Sequence, residues 1–242
     1  LLTYDSGKLW LMEGVLCYEN DKRILLGEFN LRDKTYKRPI NYVVPKNRGI
    51  IMIIRDYRHN DEVGWVRCRT LAFLETAYFD NVLKQKECYE NPAIELVAEI
   101  DGQIVGLIDV EYEKEDRTVC SRGEGLGGMI WHIAVHPDYS RQGIGKQLLD
   151  IAVNKAKAIG LNRLEAWTRD DLWVQNWYEK MHFKNVDSYY HIYFEGDEMN
   201  QQIQCATPKL YLVNAYAHYV GDNIEQFKNK RIHQCVCFEK TF

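Results

Sequence analysis

No apolar run in the 242 residues approaches the ~20 that a membrane-spanning helix requires, and Leu1-Leu2-Thr3-Tyr4-Asp5 shows no basic segment ahead of an apolar one. A membrane partner and a secretory signal are therefore not expected, and the cytoplasm is the expected compartment. A basic cluster is missing too. With 31 Lys and Arg against 35 Asp and Glu the formal charge is −4, which argues against a nucleic-acid partner and is compatible with a cationic amine substrate, though it equally serves solubility. The seven cysteines, at 17, 68, 88, 120, 205, 235 and 237, are odd in number and include no Cys-x-x-Cys pair. Neither a disulfide framework nor a zinc site is expected. Cys235 and Cys237 stand one residue apart in a strand-like run, so they share a sheet face and read as buried, reduced thiols. His132, His136, His182, His191, His218 and His233 suggest no metal site, and no Gly-x-Ser-x-Gly elbow points to a hydrolase. What remains is an ordinary globular composition, 46% hydrophobic and 27% charged, without repeats, long enough for one large or two smaller domains.

The informative stretch runs from Trp131 to Gly160. Ile133, Ala134 and Val135 form a run too short for a helix, stopped by the turn His136-Pro137-Asp138. After a loop carrying Gly143-Ile144-Gly145, apolar residues recur at 144, 148, 151, 152, 156 and 159, the period of an amphipathic helix, and Gly160 stands where a left-handed cap closes it. Two glycines leading into a helix leave backbone N–H groups unpaired at the positive end of its dipole, with no side chain in front of them. That is a cradle for a diphosphate. Lys146, Gln147 and Leu148 follow the glycines, so this loop is neither a Gly-x-Gly-x-x-Gly dinucleotide fingerprint nor a P-loop ending in Gly-Lys-Ser/Thr.

Around this stretch the chain divides at about residue 49. Residues 1–49 read as a β-rich extension with strand-like runs at 9–18, 24–31 and 39–44, separated by polar turns. It is expected to pack on the main body or on a second subunit, as in a homodimer. Residues 50–242 read as one domain. It opens with a strand at 50–55 and a helix over 62–79 whose inner side carries Trp65, Cys68, Leu71, Ala72 and Phe79. Ile94, Leu96, Ala98 and Ile100 alternate, Asp101-Gly102 turns the chain, and 104–112 completes a hairpin. Gly106 within it marks a bulge or a close backbone approach. A charged, glycine-rich loop over 113–128 delivers the chain to Met129. Beyond the helix of 144–159 come a strand at 162–168, a helix over 172–181 and strands at 188–194 and 231–238, with 196–230 as an insertion before the last. The strands at 129–135 and 162–168 are expected to pair in parallel through a crossover and to form the lips of a cleft.

Two motifs resemble one family. Ser140-Arg141-Gln142-Gly143-Ile144-Gly145, after a strand ending Val135-His136-Pro137, is similar to the acetyl-CoA-binding segment Arg/Gln-x-x-Gly-x-Gly/Ala of the GNAT superfamily of N-acetyltransferases. Trp177-Tyr178-Glu179-Lys180-Met181-His182-Phe183 resembles its Tyr-Glu-Lys-x-Gly-Phe signature. Three positions depart from the pattern: Ser140 for the usual Arg or Gln, His182 for Gly, and Asp171 for a common Asn. The resemblance covers roughly 50–196 and the closing strand. It implies a mixed α/β, GNAT-like acyl-CoA N-acyltransferase fold carrying an N-terminal β-rich extension.

The resemblance also implies acetyl-CoA as cosubstrate. Its diphosphate would rest on the amides of Arg141, Gln142, Gly143, Ile144, Gly145 and Lys146. Its pantetheine arm would lie along Ile133, Ala134 and Val135 as another strand would, an N–H near Ile133 polarising the thioester carbonyl. Tyr178 falls on the signature Tyr and is the expected general acid for the departing thiolate. Tyr78, Phe79 and Asp80 would wall the acceptor pocket. As general base, His132, Glu111 and Glu113 are candidates, alternation setting His132 opposite Trp131 and Ile133, and a chain of waters is the other route. The function implied is transfer of acetyl from acetyl-CoA to a primary amine, small-molecule or peptide, by direct attack in a ternary complex. The alternative is a non-catalytic acyl-CoA-binding sensor, for which the three departures would be signs of relaxed catalytic demand.

Overall fold

The computed structural model describes residues 51–202 and 213–242, together with seven short strands within 1–50. Nine strands make one sheet. They are β1 (Tyr42–Pro45), β2 (Ile51–Asp56), β3 (Ala93–Ile100), β4 (Gln103–Tyr112), β5 (Gly127–Val135), β6 (Arg163–Thr168), β7 (Lys184–Glu195), β8 (Asn214–Tyr219) and β9 (Ile232–Thr241). Their order across the sheet is β8-β7-β9-β6-β5-β4-β3-β2-β1. The helices are α1 (Glu62–Phe73), α2 (Ile144–Ala158), α3 (Leu172–Lys180) and α4 (Asp197–Gln202). Every neighbouring pair is antiparallel except β5 with β6, which α2 connects as the alternation of strand and helix requires.

Local chemistry explains the β3–β4 hairpin. Asp101 at φ 49° and Gly102 at φ 80° give the double left-handed turn whose twist matches the flanking strands. In β4 the register shifts between Ile104 and Gly106, so the bulge reading of Gly106 holds. The close-approach reading holds as well. A Cβ at Gly106 would stand 2.8 Å from Ile144 Cγ2 and 3.0 Å from Leu148 Cδ1, both on α2.

The two faces of the sheet have separate cores. On one, Ile94, Leu96, Ile108, Ile130, Ile144, Leu148, Tyr178, Phe183 and Phe238 pack α2 and α3 against the strands. On the other, Trp65, Cys68, Val97, Leu107 and Ala134 seat α1. Each fully buried aliphatic side chain contributes roughly 1.5–3 kcal/mol of apolar transfer, which is why the faces rather than the loops set the positions of the helix ends.

Several sequence expectations need correction. The first helix stops at Phe73, six residues short of 79. Thr76 Oγ1 bonds Phe73 O, and the Ala77 N–H is taken by Asp171, ninety-four positions away. These contacts outcompete continuation of the helix. Leu71 and Phe79 are exposed, and Arg69 takes an inner place beside Trp65 and Cys68. The largest difference lies in β5. Asp109 faces His132 and Val110 faces Ile130, so Trp131 is the extra residue of a bulge. Trp131 and His132 therefore share the α1 face, where Trp131 bonds Glu111 and His132 lies against the Trp65 ring. Simple alternation had set them apart.

The edge strand β8 falls in the 196–230 insertion, and 203–212 lie outside the described residues. Within 1–50 the chain forms hairpins, Leu2–Asp5 with Lys8–Leu11, Cys17–Glu19 with Lys22–Ile24, and Phe29–Asn30 with Thr35–Tyr36. β1 pairs with β2, so the main sheet begins before residue 50.

Candidate active site

Pairing between β5 and β6 ends at Ile130 and Ala166. Beyond that point Ile133, Ala134 and Val135 stay with β4, through Ile108, Leu107 and Gly106, while Trp167 and Thr168 stay with β9. The strands part and leave a gap. His136 then leads through a 3-10 turn at Pro137–Tyr139 into Arg141, held at φ 56°, and Gly143 at φ 78°. Gly143 is the N-cap of α2, and among the described residues it makes no side-chain cap to that end. Arg141, Gln142, Gly143 and Lys146 are exposed, Gly145 is half-buried and Ile144 is buried as the anchor of the turn. Gly145 lies close to both sides of the gap, since a Cβ there would be 3.6 Å from Val135 and from Trp177. The first amides of α2 thus lie at the positive end of a 15-residue helix whose N-cap is a glycine without a side chain.

Tyr178 enters from α3. Its ring stacks on Phe238 at 5.3 Å and meets Phe183 and Trp177 edge-on. Only 4% of the residue is exposed. Burial, with a smaller contribution from Tyr78, pushes the phenol well above its ordinary value, so it is a protonated donor throughout the physiological range. The helix carrying it ends with His182 at φ 65°. There the Phe183 N–H reaches Tyr178 O and the His182 N–H reaches Glu179 O, the left-handed closure that a glycine makes without steric cost.

The three base candidates are all committed elsewhere. His132 Nδ1 accepts from Arg69 Nε at 3.2 Å, so Nε2 carries the proton and donates to Glu87 at 2.6 Å. No lone pair remains on that ring. Glu111 accepts from the Asn91 N–H and amide and, at 2.7 Å, from Trp131 Nε1. Glu113 accepts from the N–H groups of Val119, Cys120 and Gly127 and so shapes the loop before β5.

Asp171 is likewise engaged. Its carboxylate accepts the Ala77 N–H at 2.9 and 3.1 Å while Arg169 Nη1 donates to Ala77 O. Both backbone polar groups of Ala77 are thus tied to residues just past β6, which fixes the loop after α1. Asp80 in that loop accepts from Arg231 at 2.7 Å, and this bond, with Arg169 nearby, holds its carboxyl below the usual range. Arg231 Nε donates to His233 Nε2, whose ring N–H on the other side meets Asp170 at 2.7 Å. Sequence reasoning named Asp80 but missed this network, because its members come from 80, 169–170 and 231–233 and carry no shared spacing. Trp131 and Trp167, the first residues past the last β5–β6 pair, were missed as a pair for the same reason. A separate concavity of about 770 Å3, lined by Asn60, Gly64, Cys68 and Gln103 among others, opens beside α1 and contains none of these groups.

No helix among the described residues is long and apolar enough to cross a membrane. The sequence pattern of the Acetyltransferase (GNAT) family matches residues 46–183. Over 142 residues the chain is 31% identical to an acetyltransferase of Sodalis glossinidius, a match spanning 57% of this chain and 90% of the relative. It is 27% identical over 160 residues to an N-alpha-acetyltransferase of Sulfurisphaera tokodaii, covering 60% of this chain and 87% of that one. A GNAT-family acetyltransferase of Streptococcus pneumoniae has a similar fold, with a TM-score of 0.52 at 17% identity over 79% of this chain and 99% of its own. With the parted parallel strands and the glycine turn in place, the family match over more than half the length makes this chain a member of the GNAT acetyltransferases, an acyltransferase.

Proposed function

We propose that the chain transfers acetyl from acetyl-CoA directly to a primary amine while both are bound. The observation that carries this reading is the gap between β5 and β6, bordered by the start of α2 on one side and by the helix of Tyr178 on the other. The amides of Arg141, Gln142, Gly143, Ile144, Gly145 and Lys146 hold the diphosphate. Ile133, Ala134 and Val135 pair with the pantetheine arm, and the N–H near Ile133 polarises the thioester carbonyl. The amine nitrogen forms a bond to the carbonyl carbon, the C–S bond breaks, and Tyr178 gives its proton to the departing thiolate. Because His132, Glu111 and Glu113 are engaged, water takes one proton from the substrate ammonium before attack, and the proton that nitrogen loses on amide formation returns through water to Tyr178.

The catalytic unit is residues 50–242 together with β1, the rest of 1–49 packing on it or on a second copy in a homodimer. Among the described residues Cys68, Cys88, Cys120, Cys235 and Cys237 are free, which fits the reducing cytoplasm as the compartment.

Release of free thiol from acetyl-CoA with a panel of amines tests the reading. Acceptor-dependent release is expected, falling at least about 100-fold in kcat for Tyr178→Phe with the acetyl-CoA KM unchanged. Coenzyme A binding without release for any amine would favour the sensor alternative. Equal rates for wild type and Tyr178→Phe would remove the tyrosine from the chemistry.

A further inference from the structure

The α1 face at the mouth of the gap is aromatic and acidic. Trp131 is 48% exposed and Trp167 is half-buried. The bulge in β5 turns Trp131 toward this face, and Trp167 follows Ala166, the last residue paired with β5. Both indoles are pinned by carboxylates: Trp131 Nε1 donates to Glu111 at 2.7 Å and Trp167 Nε1 to Glu165 at 3.0 Å. An indole N–H donating to an anion keeps its ring plane fixed and its face more electron-rich, which strengthens attraction for a cation. Tyr189 extends the surface 5.2 Å from Trp167.

The charges beneath have an acidic excess. Arg163 is shared among Glu113, Glu165 and Glu239, and Lys86 between Glu95 and Asp109. Glu111 and Glu87, the carboxylates closest to Trp131 and His132, have no Lys or Arg within salt-bridge distance among the described residues, and Arg69 and Lys86 act on Glu87 from further off. Arg122 at the Trp167 side is paired with Asp187. Negative potential over two fixed aromatic faces selects for positive charge spread along an aliphatic chain.

We infer that this surface is an acceptor subsite for a small amine with a second cationic group, a diamine or polyamine whose far ammonium rests on the Trp131 and Trp167 indoles while its near amine is acetylated. The inference builds on the acetyl-transfer reading and narrows its acceptor. Glu87 and Glu111 set the field, and an acceptor carrying a carboxylate at the same distance is disfavoured.

Calorimetry on the full chain saturated with coenzyme A separates the possibilities, using 1,5-diaminopentane, pentylamine, benzylamine and 5-aminopentanoate as probes. The diamine should bind about tenfold more tightly than pentylamine, and the amino acid more weakly than either. Trp131→Ala should erase most of that tenfold preference, Trp131→Phe should keep part of it, and neither should change coenzyme A affinity. Equal affinity for diamine and pentylamine, benzylamine binding as tightly as the diamine, or a preference that survives Trp131→Ala would each overturn the subsite. If coenzyme A itself failed to bind, the reading underneath would fall instead.

Discussion

Gly106→Ala links the packing of the sheet to the position of the cofactor cradle. The added Cβ would stand 2.8 Å from Ile144 Cγ2, 3.0 Å from Leu148 Cδ1 and 3.4 Å from the Ala98 Cβ. Leu148 can rotate its Cδ1 aside. Ile144 Cγ2 is attached to a Cβ, so it moves only if the first turn of α2 moves, and that turn carries Gly143 and Gly145. Overpacking of a tight core costs about 1–3 kcal/mol. The φ of Gly106 is not in the left-handed region, so alanine also gains roughly 0.4–1 kcal/mol by restricting the unfolded chain. The overpacking is the larger effect, leaving a net loss of about 1–2 kcal/mol, or a Tm lower by about 2–8 °C for a domain of this size. Thermal unfolding should show that drop, and the acetyl-CoA KM should rise with it. In an Ile144→Ala background, which lacks the offending methyl, Gly106→Ala should cost less than about 0.5 kcal/mol. A Gly106→Ala protein as stable as wild type, or an undiminished cost in the Ile144→Ala background, would refute the close-approach reasoning.

His182→Gly should stabilise the protein by about 0.5–1 kcal/mol, because glycine removes a left-handed strain of roughly 1–2 kcal/mol while adding unfolded-state freedom; a lower Tm than wild type would count against the strained cap. His191 is 8% exposed, and burial first, then Arg169, His218, His233 and Arg231, lowers its pKa from 6.5 to about 4. The imidazole is neutral in the fold, so its share of stability is complete above about pH 6.5 and is lost as pH falls from there to about 4, to a limit of about 3 kcal/mol. Urea midpoints at pH 7 and pH 4.5 should differ less in His191→Phe than in wild type, and equal differences would contradict this assignment.

The elements legible in the sequence were those whose signals are local. Asp101-Gly102 between alternating runs gave the hairpin, Pro137 and Gly143 bracketed the turn into α2, and the three-and-four spacing of 144–156 gave its buried stripe. Cys235 and Cys237 proved buried and free, since strand periodicity fixes which face a residue takes. What could not be read was decided by distant partners. Trp131 has no glycine to announce the bulge; the register of β4 against β5 imposes it. Helix α1 has the pattern to run on, but Asp171 and Arg169 capture Ala77 from another element. His132 reads from the sequence as an available base, but Arg69 and Glu87 occupy its two nitrogens.

The central claim is that bare amides at the start of α2 grip the diphosphate of coenzyme A and that the gap past Ile130 and Ala166 admits the thioester arm. A crystal structure with coenzyme A bound tests it most directly. Diphosphate oxygens about 2.7–3.2 Å from the amide nitrogens of Gly143 through Lys146, with pantetheine beside Ile133–Val135, are the predicted result. A diphosphate seated elsewhere, or a gap left empty while the nucleotide is bound, would contradict it.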